Sequence, residues 1–332
     1  MAEELQSIPL STDQVTQGLE LAKNAVFICG VHRSGTTLLR DILDGHPSLV
    51  VLPSEGTYYT NQESKLKSMP EKDWAEYLGK EWLRRMANPI NQPPYWLLGR
   101  STDRGSFYVD FARYVMAWWT IIKHPPGTQW PHMAIILAYA SCTGKLSARL
   151  WVDKTPTNER FLKRIWQELP SAKIVHMVRE PIAIILSHKK MDPSFNLRHT
   201  LRYLKNSFYI AAQQSVLHDP RFLLLRYEDL CNDPQKITAD LAVFLDIESS
   251  DTLNYPTVAG IPSQANSSFN KNAEAGTILK PQREKQENFL NGHEQNIAAT
   301  YLGKLAARHK YSLKKIDFLS KLYLRIKYRL FS

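Results

Sequence analysis

Apolar and polar positions follow two rhythms along this 332-residue chain, and their alternation outlines an architecture. Short apolar runs closed by turn residues predict buried strands at Ala25–Val31, Leu49–Leu52, Arg149–Thr155, Lys173–Arg179 and Phe222–Arg226. Between them, helical patterns predict helices at Thr37–Leu43, Asn158–Leu169, Pro181–Lys190 and Pro234–Leu245. Residues 199–217 carry Leu201, Leu204, Phe208 and Ala212 at helical spacing. Gly45 and Pro47 stop the helix that begins at Thr37, and Pro181 occupies a helix's first turn. The run Pro53-Ser54-Glu55-Gly56 reads as a turn at a strand's end, and residues 1–24 predict a short polar helix outside the fold.

Strands that alternate with helices of about ten or more residues imply a parallel sheet with right-handed crossovers. The fold class is therefore α/β: a central parallel sheet flanked by helices. Residues 57–148 break the rhythm. They hold six of the eight tryptophans (Trp74, Trp82, Trp96, Trp118, Trp119 and Trp130) and a proline-rich stretch, NPINQPPYW. This segment reads as a helical, aromatic-rich cap inserted into one domain spanning 1–332. No internal repeat interrupts that reading.

Composition narrows the class. With 43% hydrophobic and 22% charged residues, the chain is globular in character. No apolar run reaches the roughly 18 residues of a membrane span. The start, MAEELQSIPLSTDQ, lacks a basic and then apolar leader, so no secretory signal is expected. Three scattered cysteines (Cys29, Cys142, Cys231) suit a reducing cytoplasm and supply no metal pattern. Formal net charge is +10, and residues 313–332 contribute +5 of it, from six Lys/Arg against one Asp. The body's remaining surplus favours an anionic ligand and is too small to argue for nucleic acid, so none is expected.

The segment VFICGVHRSGTTLLRDILDGHP, Val26 to Pro47, concentrates the chemistry. From Gly30 it reads G-x-x-x-x-G-T-T, a P-loop-like strand–turn–helix with Thr36 where nucleotide hydrolases place lysine. A glycine-flanked turn that opens a helix aims several backbone N–H groups at one spot and favours an anion there. Thr36 and Thr37 add hydroxyls, and Arg33 adds a permanent charge with bidentate reach. The result is a phosphate cradle that is poorly equipped for NTP hydrolysis, since the lysine is missing and no partner aspartate suggests a magnesium site.

This segment resembles the donor loop of sulfotransferases that use 3′-phosphoadenosine-5′-phosphosulfate (PAPS). It is most similar to the branch of protein-tyrosine sulfotransferases and their bacterial relatives, which carries R-S-G-T-T. The fit continues through Leu38, Leu39, Arg40, Leu43, Asp44, His46 and Pro47 and departs at His32, where proline is usual. The run AKIVHMVREPIAIILSHKK, WVDKTP, RYEDL and NSSF match further segments in order, so the resemblance covers about 25–55 and 149–310. It implies that Arg33, Ser34, Gly35, Thr36 and Thr37 hold the donor's 5′-phosphate end. Arg179 and Ser187 would hold its 3′-phosphate, Tyr227 would lie by the nucleotide, and Ser267 or Ser268 would close over it. Arg33 and Lys154 would stabilise charge around the sulfuryl group, with no metal expected.

The resemblance also implies a glutamate base shortly after the D-x-H-P segment, and Glu55 stands one residue from that position. It lies just past a strand, where α/β folds build sites. His32 is a rival base. His46 is expected to satisfy a backbone group, His188 to pack beside Ser187, and Asp153 to orient Lys154. Most cap tryptophans are expected to form the cap's own core, leaving Tyr95 and Trp96 as acceptor contacts. Sugar, lipid-linked glycan, small phenol and peptide tyrosine acceptors all suit the sequence equally, and it carries no sign of oligomeric state. The tail KKIDFLSKLYLRIKYRLF repeats apolar residues at Ile316, Leu319, Tyr323, Ile326 and Leu330 among Lys and Arg. That is a basic amphipathic helix, suited either to peripheral contact with anionic lipid or to packing on the body. Two alternatives stand beside PAPS-dependent transfer: a nucleotide-dependent kinase on a variant loop, and a non-catalytic nucleotide-binding adaptor recruited to membranes.

Overall fold

A strand buried on both faces must be apolar throughout, and the run Ala25–Gly30 meets that demand with every residue buried. In the computed structural model it forms β1, the middle strand of a five-stranded parallel sheet. The structure describes residues 11–74, 76–77, 136–137, 139–141, 143–216, 218–258, 260–263, 274–281 and 290–328. In chain order the main elements are α1 (Thr12–Lys23), β1, α2 (Thr36–Asp44), β2 (Leu49–Val51) and α3 (Glu63–Leu66). Next come β3 (Leu150–Lys154), α4 (Leu162–Glu168), β4 (Lys173–Val178), α5 (Pro181–Met191), α6 (Leu197–Val216) and β5 (Phe222–Arg226). The chain continues through α7 (Tyr227–Asn232), α8 (Pro234–Leu245), β6 (Thr257–Val258), β7 (Ile261–Pro262), α9 (Gly292–Arg308) and α10 (Phe318–Tyr328).

The sheet runs β2-β3-β1-β4-β5 with every pairing parallel. The five strands and their flanking helices fall where the apolar runs predict, because a doubly covered strand leaves an unmistakable signature. Register brings Ile28 beside Lys154 and Gly30 beside Met177, so the ends of β1, β3 and β4 share one edge. Period-two alternation then sorts the core. Phe27 and Cys29 join Leu21, Ala22, Trp151 and Ile174 on one face. Val26 and Ile28 join Leu38, Leu39, Ile42, Val175 and Leu241 on the other. A third core packs α5, α6 and α9 around Leu204, Phe208 and Leu302.

Several expectations shift. The N-terminal helix does not lie outside the fold: Leu21 and Ala22 are buried, and the Trp151 indole donates to the Ala22 carbonyl at 3.0 Å. The helix predicted from Asn158 begins instead as a 3-10 turn, Pro156–Phe161, before α4. Its Glu159 accepts from Ser207 at 2.6 Å and meets His176 Nε2 at 2.8 Å in the interior, which fixes the tighter turn by tertiary contact. The tail helix predicted over 313–332 starts only at Phe318. Its apolar stripe is not docked: Leu319, Tyr323 and Ile326 are exposed, and Leu324 is the buried contact. The small hairpin β6–β7 and the long helix α9 have no counterpart in the sequence reading. Most of 57–148, including Tyr95 and Trp96, lies outside the described residues. At the segment's described ends, Tyr58, Tyr59 and Leu66, and Ile136, Leu137, Tyr139 and Ala140, pack into the Phe27 core.

Phe27 meets Trp151 and Tyr59 edge-on at centroid distances of 5.4 and 5.9 Å. Phe27→Ala should cost about 3–5 kcal/mol of unfolding free energy. Urea denaturation followed by far-UV circular dichroism checks it, and a loss under about 1 kcal/mol would contradict this packing.

Candidate active site

The turn from β1 to α2 closes only because its backbone enters left-handed territory. Gly30 has φ 131° and Gly35 φ 97°. A Cβ on Gly30 would fall 2.3 Å from the Met177 carbonyl oxygen, and one on Gly35 would fall 2.4 Å from the Tyr227 ring. Arg33 adopts φ 75° despite its side chain, a conformation that costs about 1–3 kcal/mol unless its surroundings hold it. They do hold it. Arg179, just past β4, donates from its guanidinium to the Arg33 carbonyl at 3.0 Å. Arg33 Nε in turn donates to Ser187 Oγ at 2.8 Å. Ser187 lies on α5, one turn and more from Arg179, and is 6% exposed.

The Arg179 guanidinium lies over the Tyr227 ring at 4.3 Å, so Arg33, Arg179, Ser187 and Tyr227 form one cluster. Residues that stand 33 to 227 in sequence thus meet at the carboxyl edge of the sheet. Gly35 precedes α2 with no side-chain cap, leaving first-turn N–H groups of Thr36 and Thr37 without helical partners. The Ser34 hydroxyl is fully buried and has no hydrogen-bond partner. Thr36 is buried, whereas Thr37 is exposed. An unpartnered hydroxyl, free amides and two clustered guanidinium groups fit the phosphate groups of a nucleotide.

Across the edge, Lys154 at the end of β3 donates to Glu55 Oε1 at 2.7 Å. Lys154 is nearly buried and Glu55 is one-third exposed. Burial pushes the Glu55 carboxyl up, but the charge and hydrogen bond of Lys154 outweigh it, so Glu55 sits below the ordinary glutamate value. Burial likewise pulls the Lys154 ammonium below its usual value, against the opposing pull of Glu55. The turn that carries Glu55 is pinned from two sides. Arg40 donates to the Pro53 carbonyl at 2.7 Å. Asp153 Oδ1 accepts from the Gly56 amide at 2.8 Å.

Asp153 corrects the sequence reading: it anchors the Glu55 turn and touches Thr155 and Asn158, at 3.0 Å each, rather than Lys154. Adjacency in a strand puts Asp153 and Lys154 on opposite faces, which the sequence pattern already carries. His46 behaves as expected. Its Nδ1 accepts from the Ser48 amide at 3.1 Å, so Nε2 is the donor to the Glu248 carbonyl at 2.9 Å. His188 Nε2 lies 3.2 Å from the His32 carbonyl, behind the loop rather than in it. Ser267 and Ser268 lie outside the described residues. The hairpin that leads to them is tied to α2, where Asp44 accepts from Thr257 and Gly260, both at 2.8 Å.

Glu228 and Glu180 escape the sequence reading. Glu180 caps α5 by accepting from the Ile182 and Ala183 amides at 3.0 and 2.6 Å. Glu228 accepts from the Glu180 amide at 2.8 Å and from the Tyr311 hydroxyl at 2.6 Å. Together they hold the turn that presents Arg179. Glu180 could have been found from its place before Pro181, a helix start; Glu228 depends on a tertiary contact with Tyr311.

A five-stranded parallel sheet with a lysine-free phosphate loop, and cations gathered at its carboxyl edge, defines a nucleotide-using group-transfer protein rather than an NTP hydrolase. The sequence profile of the sulfotransferase family matches residues 25–251, about two thirds of the chain, and the chain belongs to that family. It is a sulfotransferase that draws its sulfuryl group from PAPS, which supports that reading over the kinase and adaptor alternatives. The sulfotransferase domain of the Synechococcus PCC 7002 olefin synthase is similar, at 19% identity over 92% of this chain and 94% of that one, with a TM-score of 0.43. The sulfotransferase domain from the curacin biosynthetic pathway shows 20% identity over 87% and 98%, with a TM-score of 0.48. A sulfotransferase from Alicyclobacillus acidocaldarius shows 13% identity over 85% and 92%, with a TM-score of 0.44. No curated protein matches the chain.

Burial raises the Asp153 carboxyl to about 6, against the hydrogen bonds that favour its charged form. A folded-state value above the unfolded one means the folded protein holds the extra proton between them. Stability from this group is therefore full at low pH and falls as pH rises through about 4 to 6. Asp153→Asn should remove that slope. Asn158 Oδ1 is buried without a partner, so an amide flip can accept from the new side chain. Melting temperatures of both proteins from pH 4 to 7 test it: parallel curves would place the titration elsewhere.

Proposed function

We propose that the protein transfers the sulfuryl group of PAPS in line to an acceptor hydroxyl, with Glu55 as the general base. The observation that carries this reading is the Lys154–Glu55 contact of 2.7 Å at the carboxyl edge, one strand from the phosphate loop. A base must be ionised and close to the reacting centre. Glu55 is kept ionised by Lys154 and held in place by Arg40 and Asp153 through its turn.

In the proposed reaction Glu55 takes the acceptor's proton as its oxygen bonds to sulfur. The bond from sulfur to the nucleotide's phosphate oxygen breaks, leaving 3′-phosphoadenosine 5′-phosphate. Lys154 and Arg33 would oppose negative charge that builds on the transferring and bridging oxygens, an effect of about 3–4 kcal/mol per donor in comparable sites. The amides of Gly35 to Thr37 and the hydroxyls of Ser34, Thr36 and Thr37 would hold the 5′-phosphate end. Arg179 and Ser187 would hold the 3′-phosphate, with the Tyr227 ring fixing Arg179 and flanking the base. His32 is the weaker base candidate: its ring tilts against Tyr203, burial pulls its imidazole below the usual value, and Glu55 acts on it through charge rather than a described hydrogen bond.

Glu55→Gln should lower turnover at least about 100-fold while donor binding persists, measured with labelled donor and by calorimetry. Unchanged turnover removes Glu55 from the base role. Because Lys154 holds Glu55 low, the acid limb of kcat/KM should fall below the usual glutamate range; a limb above that range, where burial places the lowered His32 imidazole, would implicate His32. The nucleotide assignment has its own test. The 3′-phosphorylated product nucleotide should bind at least about tenfold more tightly than adenosine 5′-phosphate, and Arg179→Ala should erase the difference. Equal affinities for the native protein would refute the Arg179/Ser187 assignment.

A further inference from the structure

Helix α10 presents an apolar face that the fold leaves uncovered. Phe318, Leu319, Leu322, Tyr323 and Ile326 are 76, 74, 45, 58 and 61% exposed. They are five of the nine exposed large hydrophobic side chains among the described residues. At about 100° per residue these five fall on one unbroken arc of roughly 140°. Leu324, 4% exposed and packed into the third core, lies nearly opposite the centre of that arc. The outward aim is therefore imposed by the body. Besides Leu324, Arg198 donates to the Tyr328 carbonyl at 3.1 Å, and the Tyr328 hydroxyl meets His293 Nε2 at 2.6 Å.

An arc of this kind invites a cover, since soluble monomers seldom leave contiguous apolar patches of such breadth in water. Charge selects the cover. By the same helical geometry Lys321 and Arg325 border the arc on one side and Lys327 on the other. Lys310, Lys314 and Lys315 are exposed just before the helix, and Asp317 is the single acidic residue from 310 to 328. Flexible cations along both borders of an apolar face can reach headgroups while the face enters the acyl boundary, and a tyrosine in the arc suits that boundary.

We propose that α10 docks the protein on the surface of an anionic bilayer, with the Phe318–Ile326 arc inserted and Lys321, Arg325 and Lys327 among the headgroups. The inference is independent of the donor site and of the acceptor.

Co-sedimentation of the full-length protein with vesicles tests it, using phosphatidylcholine alone and phosphatidylcholine with about one third phosphatidylserine. Binding should require the anionic lipid and weaken as salt rises. The triple variant Phe318→Ser, Leu322→Ser, Ile326→Ser should bind at least about tenfold more weakly, with melting temperature and product-nucleotide affinity unchanged. Reversing Lys321, Arg325 and Lys327 to Glu should give the same loss by charge alone. The proposal fails if native protein ignores anionic vesicles, or if both triple variants bind as it does. It also fails if light scattering shows a native dimer that the serine variant dissolves while vesicle binding stays absent, which would assign the face to a second copy of the chain.

Discussion

The molecule depends on holding Arg33 in a left-handed backbone conformation. Three positive φ angles within six residues, at Gly30, Arg33 and Gly35, turn the chain sharply enough for α2 to start directly over the sheet edge. Two of those positions are relieved by glycine, but the third is not. The Arg179 guanidinium supplies the restraint by donating to the Arg33 carbonyl, and Arg179 is itself fixed by the Tyr227 ring. Tyr227 also closes against Gly35, so the same ring supports the loop at a second point. Strain in the loop is thus offset from β4 and β5, and the first-turn amides of α2 at Thr36 and Thr37 are left for an anion.

Support continues outward in an ordered chain. Glu180 caps α5 and so sets where Ser187 lies; Glu228 grips the Glu180 amide; Tyr311, after α9, grips Glu228. Glu228 and Tyr311, 83 residues apart, therefore bear on the phosphate loop through two carboxylates rather than through bulk packing. Buried carboxylates that each accept two hydrogen bonds are costly to strand, which makes this linkage specific as well as strong. On the opposite side of β1, Asp153 and Arg40 do the same for the turn that carries Glu55.

Charge explains why these groups coexist. Arg33, Arg40, Lys154 and Arg179 crowd one edge, and each spends hydrogen bonds on a carbonyl, hydroxyl or carboxylate. Cations so arranged resist bringing in a further cation and favour a multiply charged anion. The exposed basic borders of α10 serve a different end, since they accompany apolar side chains that the body leaves in water.

Much of this is legible in the sequence. Buried parallel strands must be apolar on both faces, so the five strands announced themselves, and the glycine spacing, Arg33 and the threonines marked the loop. The resemblance to sulfotransferase donor segments singles out Glu55, Lys154, Arg179 and Ser187, and the shared carboxyl edge of an α/β sheet explains how they come to one side of the molecule. What only the tertiary structure decided is which groups touch. A sequence states that Asp153 and Lys154 adjoin and face opposite ways, but not that Asp153 will hold the Gly56 amide while Lys154 meets Glu55. Nothing local states that Glu228 will meet Tyr311, that Glu159 will tighten a helix start into a 3-10 turn, or that Leu324 will dock and so turn Leu319 and Ile326 outward. Periodicity and turn chemistry are properties of neighbouring residues and can be read along the chain. Pairing between residues tens to hundreds of positions apart is settled only when the core closes and each buried polar group must find the partner within reach.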